Sequence, residues 1–218
     1  MRPRRQELLD TIEELERGLV ETIETLNTAV EARDPFTAGH SQRVRRVALA
    51  VGAALNLSND RLGMLGTAAL FHDIGKIGMP DSILTKRELL SRKEQELMRE
   101  HVTRGAEIVG KFAPFRAAAP AIRHHHERWD GLGYPDQLRG DEIPLEAAII
   151  GLGETWDALT SDRSYANALP LSEAMGALRA DREKQLSPLV VDAFWDVARA
   201  WPGAVLPIEV PTTAIAVV

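Results

Sequence analysis

The chain has 218 residues, of which 44% are apolar and 27% charged, which is enough for one or two domains with a sizeable buried core. Its formal net charge of −6 argues against a protein that coats nucleic acid polymers or binds membranes through a polybasic patch, although a local surface could still bind a small anion. The absence of cysteine excludes a disulfide scaffold, a thiolate nucleophile, an iron–sulfur cluster and a zinc finger.

Long segments rich in Ala, Leu, Glu and Arg, with few alternating Val, Ile and Thr runs, favour helices. The predicted helices cover 5–33, 40–56, 59–73, 91–112, 116–126, 144–160, 171–185 and 187–200. The last segment, 205–218, fits either a short strand or an extended arm. No apolar stretch is long enough to cross a bilayer, and no apolar signal core follows the basic start, so we expect a cytoplasmic protein or fragment without membrane insertion.

The first predicted helix carries an apolar seam with heptad spacing. The seam consists of Leu8, Ile12, Leu15 and Leu19 and, after a stutter, Ile23, Leu26 and Val30. Two interpretations remain open: an amphipathic helix packed on its own domain, or a parallel dimer helix that continues from an upstream sensor domain. Arg33-Asp34-Pro35 predicts the end of this helix, because a residue before proline leaves the helical region.

Histidines are concentrated in the middle of the chain. The six are His40, His72, His101, His124, His125 and His126. Neutral imidazoles and carboxylates without thiolates suit Fe, Mn, Co, Ni or Zn. The cluster therefore indicates a metal site, although histidines on a solvated helix surface remain an alternative.

The His72-Asp73 pair ends an apolar helical run, where a buried carboxylate costs several kcal/mol unless it is paired or bound to a cation. One carboxylate can bridge two metal ions, an arrangement common in phosphodiester cleavage. Gly75 and Lys76 follow at once; glycine lets the backbone turn closely, and lysine offers a point charge for a phosphate.

These motifs occur in a fixed order along about residues 20–200. They comprise Arg33 to Ser41, His72 to Gly78, Asp81 to Leu84, His101, the run from His125 to Pro135 that ends in Gly133-Tyr134-Pro135, Gly140, Ile143 to Leu145, Asp157 to Leu159 and Asp162 to Tyr165. The ordered set resembles the HD-GYP family, a branch of the HD metal-dependent phosphohydrolases.

The resemblance implies an all-α fold, a helical bundle around a binuclear metal centre with two divalent ions, most typically Fe or Mn. It implies hydrolysis of cyclic di-GMP to linear pGpG or GMP. The alternatives are a catalytically weak domain that binds nucleotide or a partner, and a phosphohydrolase acting on another cyclic dinucleotide. The expected organisation is a linker or dimerisation helix over 1–33, a catalytic domain over 34–200 and a tail over 201–218. Expected partners are a second copy, an upstream sensor and a diguanylate cyclase (GGDEF) protein.

Residue by residue, the resemblance implies a ligand set of His40, His72, Asp73, His101, His125, His126 and Glu154. Asp73 would serve both ions, and one division places His40, His72 and Glu154 on one ion and the other three histidines on the second. Lys76 would contact the scissile phosphate and act in catalysis, Arg163 would lie near the substrate phosphates, and Tyr134 would line the pocket. His124 would be a surface or supporting residue.

Three positions depart from the family pattern. Glu154 stands where an Asp is usual, so its carboxylate reaches one methylene further. Phe36 stands where some members have a Glu that supports a third metal, which predicts two metals and not three. Ala166 replaces a frequent basic phosphate contact.

Overall fold

The computed structural model describes residues 24–33, 39–86, 88–162 and 167–205 and, within the N-terminal helix, positions 7, 11, 14, 18, 21 and 22. This part is helical without a named strand, so the all-α prediction is confirmed. The helices are α1 (24–31), α2 (His40–Ala54), α3 (Asn59–Phe71), α4 (Asp81–Leu84), α5 (Arg92–Arg99), α6 (His101–Gly110), α7 (Ala119–His124), α8 (Leu145–Thr160), α9 (Leu171–Ala180), α10 (Pro188–Ala200) and α11 (Pro202–Val205). Short 3-10 turns occupy Ile74–Gly78, Ala113–Ala118 and Gly140–Glu142.

The core lies where α2 packs on α3, α8 and α10. Its fully buried side chains include Val44, Leu65, Phe71, Ile150 and Phe194. Burying one such side chain contributes about 1.5–3 kcal/mol relative to leaving it in water. The helices that carry the histidines are therefore fixed by the apolar packing of their other faces.

The single helix predicted over 91–112 is two helices, α5 and α6, with a break at Glu100. A capping box starts α5: the Ser91 hydroxyl accepts from the Glu94 N–H, and the Glu94 carboxylate accepts from the Ser91 N–H. The break makes His101 the first residue of α6. Apolar residues keep their helical spacing across Glu100, so the sequence pattern predicted one continuous helix.

Other boundaries also differ from the predicted ones. The segment predicted as 116–126 begins as a 3-10 turn, and α7 ends at His124. The helix predicted over 171–185 ends at Ala180, since Glu183 has φ of 67°, in the left-handed region that an α-helix excludes. The chain then turns, with the Leu186 N–H donating to the Asp181 carbonyl.

At the two ends of the chain, the structure tests only part of what the sequence predicts. Val30 is buried in the domain's own core, which favours the packed interpretation for this seam residue, whereas Leu26 is 50% exposed. Val205 ends α11 and is buried, with its carbonyl accepting from the Trp156 indole, so it is neither strand nor surface arm. The seam residues Leu8, Ile12, Leu15, Leu19 and Ile23, and the tail over 206–218, lie outside the described residues.

None of the helices in the described part of the chain combines the length and the apolar character needed to cross a bilayer.

Candidate metal centre and adjoining pocket

The structure brings the seven predicted ligands to one place inside the helical bundle. His40 begins α2, His72 and Asp73 follow α3, His101 begins α6, His125 and His126 follow α7, and Glu154 lies in α8. The first five of these, His40, His72, Asp73, His101 and His125, are almost completely buried. His126 and Glu154 have side chains that are about a quarter exposed, so they form the solvent-facing side of the cluster.

Three of the histidines have their protonation fixed by the backbone. In each, Nδ1 contacts a backbone carbonyl three residues earlier, and a carbonyl can only accept, so Nδ1 carries the hydrogen. Nε2 then keeps its lone pair and points into the cluster, as in histidines that bind metals. The pairs are His72 with Ala69 (2.8 Å), His101 with Met98 (2.7 Å) and His125 with Ile122 (2.7 Å).

His40 is oriented in the same way by a side chain. Its Nδ1 lies 2.6 Å from Oδ2 of Asp157, and its Nε2 lies 3.3 Å from Nε2 of His72. Burial raises the pKa of Asp157, but hydrogen bonds from His40 and Arg43 outweigh burial and hold that pKa well below its usual range. Asp157 is therefore a carboxylate that fixes the His40 ring and leaves Nε2 facing the cluster.

Unpaired atoms at the centre of the cluster fit a cation. Among the described residues, Oδ1 of Asp73 and Nε2 of both His101 and His125 are buried without a hydrogen-bond partner. A buried polar atom left in this way costs about 1–3 kcal/mol. Three acceptors in the cluster carry this cost, and divalent cations bound in the cluster would satisfy them.

The charge states of Asp73 and of three neighbouring histidines suit a cation. At His40, burial lowers the pKa, but the hydrogen bond to Asp157 and the nearby carboxylates together outweigh burial and raise that pKa. Burial raises the pKa of Asp73, but Lys76 and the neighbouring histidines outweigh it, so this pKa lies well below its usual value and the carboxylate is ionised. Burial lowers the pKa of His101 to about 4, and it lowers the pKa values of His72 and His125 as well. Neutral imidazoles beside an ionised carboxylate are the donor set that Fe, Mn and Zn take in proteins.

The candidate ligand atoms fall into three overlapping groups, each within 4.8 Å. The groups are His40, His72 and Asp73; His101, His125 and His126; and His72, His125 and Glu154. The second group matches one half of the predicted division between two ions. Glu154 groups with one histidine from each half, so its carboxylate lies between the two halves of the cluster.

Lys76 lies beside Asp73 because the chain makes a tight turn there. Its Nζ is 2.6 Å from Oδ2 of Asp73, and its side chain is 18% exposed. The turn packs against α6 so closely that a Cβ on Gly75 would collide with the His101 backbone carbonyl. Glycine at this position therefore allows His101 to approach Asp73, with Nε2 and Oδ1 3.4 Å apart.

A cavity of about 640 Å³ opens beside the exposed side of the cluster, with His125, His126 and Glu154 in its wall. Tyr134 lines it, stacked on His126 with ring centroids 4.8 Å apart, and the Arg99 guanidinium lies 5.0 Å from the Tyr134 ring centre. Burial raises the pKa of Tyr134, so its hydroxyl stays protonated at neutral pH. The volume is that of a pocket for a small organic ligand.

A polar network includes Arg128, Thr155 and Gln185 of the cavity wall. Asp130 holds the Arg128 guanidinium through two hydrogen bonds of 3.0 and 2.6 Å. Arg128 donates to the Gln185 side-chain oxygen (3.1 Å), and the Gln185 amide donates to the Thr155 hydroxyl (3.1 Å). The sequence motifs did not single out Arg99, Thr155 or Gln185, and no local pattern marks them.

His124, which the sequence analysis also named, is not part of the cluster. Its ring contacts the Pro120 carbonyl (2.8 Å) and the Asp136 carboxylate (2.9 Å). Arg123 also donates to Asp136, and the hydrogen bonds from Arg123 and His124 hold the pKa of Asp136 well below its usual range. His124 thus anchors the loop that carries Tyr134. Phe36, Arg163 and Ala166 lie outside the described residues.

Comparison with known proteins finds relatives of this chain. The chain is 39% identical over 191 residues to the cyclic di-GMP phosphodiesterase response regulator RpfG of Xanthomonas campestris, covering 87% of this chain and 50% of that protein. It is 34% identical to 3'3'-cGAMP-specific phosphodiesterase 2 of Vibrio cholerae, covering 81% of this chain and 35% of that protein. The chain thus spans half or less of the length of these relatives.

Among solved structures, a cyclic GMP-AMP-specific phosphodiesterase of V. cholerae, V-cGAP3, superposes with a TM-score of 0.62 at 23% identity, covering 82% of this chain and 49% of that one. This likeness concerns the fold, which is that of the helical bundle described above. A family model for the HD domain matches residues 24–189, a range that contains all seven candidate ligands. The chain therefore belongs to the HD domain family.

Proposed function

We propose that this chain is a metal-dependent phosphodiesterase of the HD-GYP branch, which hydrolyses cyclic di-GMP to linear pGpG and GMP. The observation that carries the proposal is the buried cluster, in which Asp73, His101 and His125 each leave an acceptor atom unpaired next to a cavity of about 640 Å³. The curated cyclic di-GMP phosphodiesterase RpfG, 39% identical over 191 residues, supports the choice of substrate.

The ligand set proposed for two divalent ions, Fe or Mn, is His40, His72, Asp73, His101, His125, His126 and Glu154. Ions held there would supply a water activated at neutral pH and offset charge on the phosphate. Asp73 would serve both ions; this role is supported by its two oxygens, since Oδ2 lies 3.6 Å from Nε2 of His72 and Oδ1 lies 3.4 Å from Nε2 of His101. Phe36 cannot ligate a metal, which supports two ions rather than three.

The remaining groups act on the substrate. The Lys76 ammonium, 2.6 Å from Asp73, is within reach of a phosphate bound at the cluster and would offset the charge that develops in the transition state. Tyr134 and Arg99 offer a stacked aromatic and cationic surface to a base, and Arg163 would approach a second phosphate. The cavity would exclude bulk water from the reacting phosphate.

Product analysis tests this proposal. The Mn- and Fe-loaded chain is incubated with cyclic di-GMP, and the products are separated by chromatography beside the Asp73→Ala variant. We expect pGpG and GMP from the wild type, and neither product nor bound metal from Asp73→Ala, because that carboxylate serves both ions. Intact cyclic di-GMP after incubation with a fully loaded wild type would contradict the proposal and favour a domain that binds nucleotide without turnover.

A second candidate substrate is 3'3'-cGAMP, because a relative specific for it is 34% identical. The two substrates differ in one base, so discrimination depends on the cavity wall and not on the metal cluster. Rates for cyclic di-GMP, 3'3'-cGAMP and cyclic di-AMP, measured on one metal-loaded preparation, separate the candidates. A higher kcat/KM for 3'3'-cGAMP would replace cyclic di-GMP as the proposed substrate.

We also propose a homodimer through the seam of the first helix, with segment 1–33 as a dimerisation helix, 34–200 as the catalytic domain and 201–218 as a tail. An upstream sensor or a GGDEF protein would be the signalling partner, and a second-messenger substrate implies a cytoplasmic site of action. Light scattering on Ile12→Glu/Leu15→Glu tests the dimer. We expect a monomer mass for this variant and a dimer mass for the wild type; equal masses would contradict the proposed interface.

A further inference from the structure

The end of α1 contacts the backbone on both sides of His40. Oε2 of Glu31 accepts a hydrogen bond from the Gly39 N–H (3.0 Å), and Oε1 of Glu31 accepts one from the Ser41 N–H (3.0 Å). Gly39 is the N-cap of α2 and has no side chain to supply a cap. A carboxylate from α1 thus caps the helix whose first residue is the candidate ligand His40.

Further contacts hold this part of α1 in place. Asn27 donates to the Ser41 hydroxyl (3.1 Å), and both residues are buried. Val30, between Asn27 and Glu31, is buried in the core. The position of the Glu31 carboxylate is therefore set by the packing of α1.

Two residues after Glu31, Arg33 holds the segment that follows Lys76. Its guanidinium donates to the Ile77 carbonyl (3.0 Å), to the Met79 carbonyl (2.9 Å) and to Oδ1 of Asp81 (2.7 Å). A planar guanidinium with fixed donor directions is suited to hold three neighbouring acceptors at once. Ile77 belongs to the 3-10 turn of Ile74–Gly78, which directly follows the candidate ligand Asp73, and Met79 and Asp81 come after that turn.

The segment bound by Glu31 and the segment bound by Arg33 meet in the candidate metal centre. His40 lies in the segment whose backbone Glu31 binds. Its Nε2 lies 3.3 Å from Nε2 of His72, the residue that precedes Asp73 in the chain. Metal ligation tolerates errors in ligand distance of only about 0.2 Å. A small shift between the two segments would therefore change the affinity for a metal ion.

We propose that Glu31, the last residue of α1, and Arg33, two residues later, are positioning residues for the metal centre: together they set the distance between His40 and the turn that follows Asp73 and carries Lys76. This inference rests on the proposed metal site. Neither side chain touches the cluster, so each acts through the backbone that it holds.

Glu31→Gln tests the inference, with Glu24→Gln as its control. Glu24, also in α1, binds Arg45 in the middle of α2 (3.3 Å), so the control removes an α1–α2 ion pair without touching the first turn of α2. Mn²⁺ affinity is measured by chelator competition on the metal-free full chain, with circular dichroism and thermal unfolding to establish the folded fraction. We expect Glu31→Gln to bind Mn²⁺ about 10-fold or more weakly, and Glu24→Gln to match the wild type.

Arg33→Lys provides a second test that does not depend on the folding of Glu31→Gln. Lysine keeps the charge, but its donors sit on one nitrogen and cannot span the acceptors that the separate nitrogens of the guanidinium reach, so we expect weaker Mn²⁺ binding at an unchanged folded fraction. Wild-type affinity in both variants, or equal losses in Glu24→Gln and Glu31→Gln, would overturn the positioning role while the metal site stands. A wild-type chain that binds no Mn²⁺ would instead overturn the proposed function, and this inference with it.

Discussion

Lys76 and Asp73 are paired side chains with different proposed duties. In the proposed site, Asp73 would be a ligand for both ions, whereas Lys76 would neutralise charge on the substrate and bind no metal. Their contact of 2.6 Å keeps the ammonium at the edge of the cluster. Because the partner carboxylate would be shared with cations, loss of the lysine leaves it compensated.

We therefore expect Lys76→Met to keep both metal ions and to lower kcat by about 10²–10³-fold, the usual effect of removing one group that stabilises transition-state charge. Metal content by elemental analysis and kcat for cyclic di-GMP are measured on the same samples. Asp192→Asn, an exposed carboxylate of α10 paired with Arg182, is a control that should change neither quantity. Loss of metal in Lys76→Met with proportional loss of activity would assign the lysine to the metal site.

Glu154 is the candidate ligand that differs from the family pattern, in which an Asp is usual at this position. Burial raises its pKa, but His126 and His72 outweigh burial and keep the pKa below its usual value, so it is ionised. Its Oε2 lies 3.6 Å from Nδ1 of His126. The carboxylate thus reaches the cluster despite its additional methylene.

Replacement of Glu154 should separate ligation from a passive role. We expect Glu154→Ala to lose most bound metal and activity, and Glu154→Asp to retain or raise both, because Asp keeps the carboxylate at the length usual in the family. Metal occupancy after dialysis and initial rates are the measurements. Full occupancy and full activity in Glu154→Ala would show that Glu154 is not a ligand.

At the scale of elements, α8 supports the metal centre through Asp157, one turn after Glu154. Asp157 accepts from both His40 and Arg43 and from the Ser161 hydroxyl (3.1 Å). One helix therefore supplies a candidate ligand and the carboxylate that orients another ligand on α2.

Asp157→Ala should weaken metal binding about 10–100-fold, the usual effect of removing a group that orients a ligating histidine. Glu146→Gln is the matched control, since Glu146 lies in the same helix and pairs with Arg61 on α3. Metal affinity by chelator competition should fall in the first variant and not in the second. Equal metal affinity in the two variants would show that Asp157 does not orient His40 for metal binding.

Sequence patterns predicted the helices better than their joints. Apolar spacing located α2, α3, α8 and α10 to within two residues at each end, because each presents one continuous face to the core. The break at Glu100 has no such signature. The contacts of Gln185 with Arg128 and of Glu31 with Gly39 join segments that only the folded chain brings together.

The candidate ligands could be named from the sequence because they stand in the ordered motifs that carry the family resemblance, and the structure brings them together. The supporting residues could not, since Asn27, Glu31 and Thr155 are of types common on any helix surface. Asp157 was named from the sequence only as part of a motif, and its contact with His40 shows that it orients a histidine.

Metal binding should raise the free energy of unfolding of the whole domain, because the candidate ligands come from five separate helical regions. A ligand at 100 times its Kd stabilises the folded state by about 2.7 kcal/mol. For a domain of this size that raises Tm by about 5–10 °C. Mn²⁺ should produce this rise in the wild type, EDTA should reverse it, and Asp73→Ala should show neither; an unchanged Tm at saturating Mn²⁺ would contradict ligation by the folded cluster.

Stepwise metal loading tests the central claim most directly, because it joins the ligand set to the reaction. Metal-free protein receives Mn²⁺ in measured equivalents under anaerobic conditions, and the rate of pGpG and GMP formation from cyclic di-GMP is followed at each step. We expect hydrolysis to reach its maximum at two bound ions per chain. No hydrolysis at any metal content, or a maximum that requires one or three ions, would contradict it.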